Sequence, residues 1–336
     1  MLMSGARSFK ISVLDQGQIP LDGDSSAAVN DTIFLAKLAD KLGFERFWVT
    51  EHHSSEGYAS SAPAVLIAAI ASNTERIRVG SGAVLLPVHS SLVVAEQFGT
   101  LVAAFGHRID LGIGRSTGAD PHTSIMLRGT SDEIPEEEFI EKLDALDDLF
   151  AGSFSPDGHT IIALPGRGDA PQIWLLGSTE YSAKLAGQRG LPFAFAHHFS
   201  GEITREALAT YQRSFRPSVS LQTPYCAISV GAISDDDPSI AESQWRPALI
   251  NFARRREGKP FSPISVEEGK QYVFTDREME FVTQRNRGQI IGNPADVARS
   301  LRALHTDLGV DEFIAVPMGA ERENRARTLE ILSGVH

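Results

Sequence analysis

Cysteine is almost missing from this chain: Cys226 stands alone among 336 residues. No internal disulfide framework can form, which fits a reducing cytosol. Lysine is scarce too, at seven residues, and no long basic block occurs. With 31 basic against 43 acidic side chains the net charge is −12, so a nucleic-acid partner is not expected. Long hydrophobic runs are also missing. The longest, Ala62–Ala71, falls short of the roughly 18 residues that cross a bilayer, so no membrane association is expected. The opening MLMSGARSFK lacks the apolar centre of a secretory signal. What is present, 42% apolar and 22% charged residues, suits a core-rich folded chain rather than a disordered one. A soluble cytoplasmic protein is the expectation.

Length alone allows either two domains of roughly 100–200 residues or one α/β barrel of about 250 with additions. The pattern decides for the barrel. Strands are predicted at Lys10–Leu14, Arg46–Thr50, Arg78–Leu85, Ile109–Ile113, Gln172–Leu176, Phe193–Ala196, Tyr225–Val230 and Phe313–Val316. Between and after them, apolar residues recur at helical spacing, as in Ile33, Leu35, Ala36, Leu38, Ala39 and Leu42. The predicted helices are Ala27–Leu42, Pro63–Ala71, Leu92–Ala104, Glu136–Phe150, Thr179–Arg189, Glu202–Ser214, Asp296–Leu308 and Arg322–Leu332. Eight strand–helix units imply an α/β (β/α)8 TIM barrel. The surplus length falls in two insertions, about 114–135 and 238–289, within one domain spanning 1–336. Loops of that length would be expected to cover the site or pack on the barrel.

Catalytic groups of such barrels sit at the C-terminal strand ends. Those ends read Asp15-Gln16, Glu51-His52-His53, Gly80-Ser81-Gly82-Ala83, Gly114-Arg115, Gly177-Ser178-Thr179 and His197-His198. The paired histidines raise the possibility of zinc, but no H-x-H pair and no cysteine cluster accompany them, so no metal is expected. His53 and His198 equally suit plain structural hydrogen bonding. Gly112-Ile113-Gly114 looks superficially like a dinucleotide fingerprint, yet the third glycine is displaced and a loop carrying Pro121 is expected after it. Arg115 is either an anion contact or a structural ion pair. Ser178, Thr179 and Ser182 are either a helix cap with its neighbour or, with free N–H groups at a helix N-terminus, a phosphate cradle. Glu180 is an awkward neighbour for a phosphate.

Six collinear stretches resemble the bacterial luciferase-like flavin monooxygenases, in the FMN-type branch. They are LDQGQIP, LGFERFWVTEHHSSEGYASSAP, TERIRVGSGAVLLPVHSSLVVAEQFGTL, RIDLGIGRSTGAD, IWLLGSTEYSAKLAGQRGLPFAFAHHF and GNPADVARSLRALHTDLGVDEF. The resemblance implies a luciferase-like barrel, often a homodimer, that takes reduced FMN from a separate flavin reductase. With O2 it would oxygenate a small organic substrate. It places the flavin ring against Gly80, Ser81, Gly82 and Ala83, with the Gly82–Ala83 bond cis. It places phosphate on Arg115, Thr117, Ser178, Thr179 and Ser182, and proton transfer on His52. Gly106-His107-Arg108 departs from the family's Pro-Gly-Arg turn, on the barrel face away from the site. Two rival readings remain at this stage: a deazaflavin-dependent hydride-transfer enzyme on the same fold, and a flavin carrier without catalysis. The scarcity of lysine speaks against the longer acidic tail of a deazaflavin.

Overall fold

A computed structural model describes residues 9–259 and 261–335. The stretch read for a secretory signal therefore lies mostly outside the described residues, as does Pro260 in the second insertion. β1 (Lys10–Asp15), α1 (Ser25–Leu42), β2 (Arg46–Val49), α2 (Pro63–Ala71), β3 (Arg78–Leu85) and α3 (Ser91–Phe105) lead to β4 (Ile109–Gly114). There follow α4 (Pro121–Arg128), α5 (Glu136–Ala151), β5 (Gln172–Gly177), α6 (Glu180–Arg189), β6 (Phe193–Phe195), α7 (His197–Ser200) and α8 (Thr204–Ser214). β7 (Cys226–Ser234), α9 (Pro238–Arg256), α10 (Val266–Gln271), α11 (Asp276–Asn286), β8 (Gln289–Gly292), α12 (Pro294–Leu308), β9 (Glu312–Pro317) and α13 (Arg322–Leu332) complete the order.

Eight parallel strands close on themselves in the order β1–β2–β3–β4–β5–β6–β7–β9, with β9 returning to β1. β2, β4 and β9 are buried along their whole length, which is why they read as near-continuous apolar runs. The helices start and stop on local chemistry. Asp24 caps α1 by accepting from the Ala27 N–H, and Gly43 ends it in the left-handed region at φ 84°.

Three features differ from the sequence expectation. β8 was not foreseen, because four residues inside a polar insertion carry too short a pattern. β7 overruns the barrel to Ser234, and β8 pairs with that overhang, Gly231 against Gln289 through Ser234 against Gly292. Secondly, Pro121–Arg128 is a helix rather than a loop, with proline at its first turn and Asp120 accepting from His122 and Thr123. The dinucleotide reading fails instead on topology, since β4 is a stave of a closed barrel. Thirdly, β6 stops at Phe195, so His197 and His198 sit on a single helical turn, not on a strand.

The N-terminal end of the barrel is plugged by charge. Arg46 donates to Asp110 at 2.6 Å and to Glu312 at 2.7 and 3.1 Å, all three side chains being buried. Trp48 donates its indole N–H to Asp110 at 3.0 Å and meets Trp174 edge-on at 5.1 Å. Arg108, of the Gly106-His107-Arg108 departure, donates to the carbonyls of Ala71, Thr74 and Ile77 at this same end. The departure lies away from the mouth, as the sequence implied.

Candidate active site

Beyond β2, the segment Thr50–Ser60 turns back across the barrel mouth, pairing Tyr58 with Gln18 after β1. His52 lies on this segment. Its backbone N–H donates to the Ser60 carbonyl at 3.1 Å and its ring stacks on Tyr58 with centroids 4.7 Å apart. Nδ1 lies 3.0 Å from the Thr50 hydroxyl and 3.4 Å from that of Ser60. Ser60 in turn donates to the Gln16 carbonyl at 2.9 Å, and the two hydroxyls are 3.0 Å apart. A carbonyl can only accept, so the chain has a direction. With the Ser60 proton committed to Gln16, the Thr50 proton satisfies Ser60, and Nδ1–H of His52 satisfies Thr50. Nε2 is left with its lone pair. Burial, then the charge of Arg255, pushes the imidazole down from 6.5 to about 4 against the opposing pull of Glu51. His52 is neutral at physiological pH.

The neighbouring histidine does different work. Glu51 accepts from His53 at 2.7 Å and from His89 at 2.6 Å on one oxygen, and from the Leu85 backbone N–H at 2.9 Å on the other. Burial raises its pKa, but these donors outweigh burial and hold the carboxyl below its ordinary range. Glu51, His53 and His89 form the one cluster of possible metal ligands among the described residues. Both carboxylate oxygens are already taken by donors, so the trio reads as a brace tying β2's end to β3's end. His197 and His198 are likewise occupied, by the hydroxyls of Thr204 and Ser229, each at 2.7 Å.

The third strand's end divides in two. Gly80 and Ser81 are buried within β3: a Cβ on Gly80 would meet the Asp110 carbonyl at 2.4 Å, and Ser81 donates to the Gly112 carbonyl at 2.9 Å. Gly82 and Ala83 are half-buried at the mouth, and the bond between them is cis. The β3–β4 register shifts between Ser81 and Val84.

Arg115 and the start of α6 come together across Tyr181, whose ring lies 4.7 Å from the guanidinium carbon. Thr179 caps α6, accepting from the Ser182 N–H at 3.4 Å, while the Ser182 hydroxyl donates to the Thr179 carbonyl at 2.7 Å. The Ser178 hydroxyl makes no hydrogen bond among the described residues and is half-buried. Glu180 is turned away, accepting from Thr210 on α8 at 3.0 Å, so it does not crowd this anion pole. Glu136 approaches Arg115 at 3.5 Å from the solvent side. Thr117 stands apart from α6, taking a 3.4 Å bond from Ser124 of α4.

A cavity of about 1120 Å³ opens beside His52. Tyr58, Gly118, Phe252, Arg255 and Phe261 share its lining with His52. The anion pole is not part of that lining, and Gly118, next to Thr117, is where the two regions approach. The roof comes from the second insertion. Trp245 of α9 donates to Asn286 of α11 at 2.7 Å, and Asn251 grips the Ser262 backbone through both its amide atoms. Arg255 and Arg285 are the residues here that sequence reading missed. Arg255 falls in the charged stretch RRREGKPFSP and Arg285 lies outside it, and nothing local ties either to His52. Cys226 is buried at the start of β7, its thiol pushed up to about 12 by burial, and takes no part.

Among the described residues, no helix is long and apolar enough to cross a membrane. The chain is similar to the luciferase-like monooxygenase of Escherichia coli (strain K12), 35% identical over 98% of this chain and 97% of that one. It is 31% identical to the N-acetyl-S-alkylcysteine monooxygenase of Bacillus subtilis (strain 168), over 91% of each. Apo-MsnO8 superposes with a TM-score of 0.88 at 31% identity, covering 98% of both chains. The barrel also matches, as a fold, the oxygenating constituent of 3,6-diketocamphane monooxygenase of Pseudomonas putida in complex with FMN. That match has a TM-score of 0.73 at 19% identity, over 98% of each chain. An F420-dependent secondary alcohol dehydrogenase matches with a TM-score of 0.69 at 15% identity, covering 98% of this chain and 99% of that one. Residues 9–330 match the family described as luciferase-like monooxygenase, and the chain belongs to that family.

Proposed function

We propose that this protein is a flavin-dependent monooxygenase that uses reduced FMN, supplied by a separate flavin reductase, to oxygenate a small organic substrate with O2. The observation that carries the reading is His52: a neutral imidazole with one nitrogen fixed and the other free, on a cavity large enough for an organic molecule. The residues suit FMN. A phosphate would meet Arg115, the unengaged Ser178 hydroxyl and the N-terminus of α6, where Thr179 and Ser182 order the first turn. Thr117 would close the pole from the α4 side. Gly80 and Ser81 shape β3 from within, and Gly82 and Ala83 offer a flat, half-buried seat for the ring.

Bound reduced FMN would supply the activation of dioxygen. The chain's own part is to exclude water and move a proton. The Arg46–Asp110–Glu312 plug and the Trp48–Trp174 pair close the barrel from below. The α9–α11 roof covers it from above. His52 Nε2, unprotonated, accepts a proton within the cavity, and Thr50 and Ser60 hold the ring for that task.

The test mixes purified protein with photoreduced FMN and follows flavin fluorescence and oxidation by O2. Saturable binding and an altered oxidation rate are expected. His52→Ala should keep binding and lose oxygenation, whereas a flavin carrier would lose nothing. A parallel titration with deazaflavin checks the other reading, and tighter deazaflavin binding with no effect on FMN oxidation would sink this one.

A further inference from the structure

Two guanidinium groups near His52 have no acidic partner among the described residues. Arg255 of α9 lines the cavity. Arg285 of α11 lies between two rings, its guanidinium carbon 4.7 Å from Phe199 and 4.4 Å from Phe252, and Phe252 is itself part of the cavity lining. The Arg285 Nε is buried and makes no hydrogen bond. The side chain as a whole is half-buried, and burial lowers the Arg285 pKa to about 10.

Most other charges of the lining are already answered. Asp31 takes Arg322 and Arg325, Lys259 pairs with Glu257, Asp120 caps α4, and Glu321 accepts from Gln244. Asp22 and Glu56 also line the cavity and have no cationic partner among the described residues. The positive charge of Arg255 acts on the rings of His52 and Tyr58, and that of Arg285 on Tyr58. Beside His52 and Tyr58 the cavity thus carries the charge of Arg255, whose side chain is exposed, and aromatic rings wall it: Tyr58 and Phe261 stand 6.2 Å apart.

We infer that the substrate is an amphiphilic carboxylate whose anionic head is received by Arg255, with Arg285 behind Phe252 adding its charge, and whose apolar body lies along Tyr58, Phe252 and Phe261 toward His52. Arg suits this task, since its planar fork matches a carboxylate and its face tolerates an aromatic neighbour. The inference rests on the cavity being the substrate side of the monooxygenase proposed above.

A matched pair of probes differing only in charge tests it. Calorimetric titration of the full chain with hippurate and with hippuramide should show hippurate binding at least about tenfold tighter, the scale of one charge-assisted hydrogen bond. In R255Q/R285Q that preference should fall toward one, with hippuramide binding and FMN affinity (followed by fluorescence) unchanged. R255K should keep part of the preference. Equal binding of the two probes, no saturable hippurate binding, or a preference that survives in R255Q/R285Q would overturn the inference. So would a loss of FMN affinity in that variant, which would assign the arginines to the cofactor. If wild-type protein failed to bind FMN yet kept the hippurate preference, the flavin reading would fall and the carboxylate site would stand.

Discussion

An imidazole with a pKa near 4 carries no positive charge at neutral pH, so in the proposed reaction His52 would act through the lone pair on Nε2. Its base form predominates above about 4 and is lost as pH falls through that value. The turnover of the proposed monooxygenase should therefore hold through pH 5–6 and show its acid limb near 4 rather than at the ordinary 6.5. Because the folded-state pKa lies below the unfolded one, the same group withdraws stability as pH drops from 6.5 toward about 4. Arg255→Gln removes the largest electrostatic contribution to the depression after burial, so the acid limb should move upward; a limb that stays put would disconnect Arg255 from His52. Thr50 offers a separate check. Replacing it by Val leaves the Nδ1–H with only the more distant Ser60 hydroxyl, and the ring is free to take the other tautomer. Turnover should fall by about tenfold to a hundredfold, part of what a positioned base contributes, with KM little changed. Thr50→Ser should restore it, and imidazole 15N shifts would report the tautomer directly.

Among the elements, legibility followed the range of the forces. The eight barrel strands and the helices between them were readable because burial imposes a period on each segment alone. His52 and the glycines of β3 could be singled out as candidates because strand ends of a barrel are where chemistry collects. β8 could not, since its four residues pair only with the overhang of β7. Nor could Arg255, which lines the cavity, or Arg285, which lies against Phe252, because both come to the site only as α9 and α11 fold back over the mouth. Their placement depends on capping boxes at Ser265 and Thr275 and on contacts such as Trp245 to Asn286. The loop between α9 and α10 is held chiefly by Asn251, which donates to the Ser262 carbonyl at 2.9 Å and accepts from its N–H at 3.1 Å. Asn251→Ala should loosen that loop by about 1–3 kcal/mol of local opening without lowering global stability by as much. Hydrogen exchange should then speed up across residues 257–265 and stay unchanged in β1–β4; uniform acceleration would mean the roof is not a separable element.

Across the whole molecule, the two ends of the barrel are built on opposite principles. Among the described residues, the mouth leaves polar groups unpaired, at Ser178, Arg255 and His52 Nε2, whereas the charges buried at the base are paired with one another. Arg46 sits between Asp110 and Glu312, Arg78 bonds the other oxygen of Asp110 at 2.9 Å, and Ser12 and Tyr225 both donate to Glu312. The net charge of −12 belongs to the surface and does not reach this interior arrangement. Removing Arg46 leaves two carboxylates facing each other in a space closed by Trp48 and Trp174. Arg46→Met should therefore destabilise the fold by about 3–5 kcal/mol, as expected when one partner of a buried ion pair is deleted. The double change Arg46→Met and Glu312→Gln leaves Asp110 paired with Arg78, so no buried charge stays uncompensated, and should recover much of that loss. Guanidinium unfolding of both variants, read by tryptophan fluorescence because Trp48 and Trp174 lie against Arg46, would separate the two effects. If the single variant unfolded at the wild-type midpoint, the plug would contribute nothing to stability, and its charges would have to be explained by the site above it.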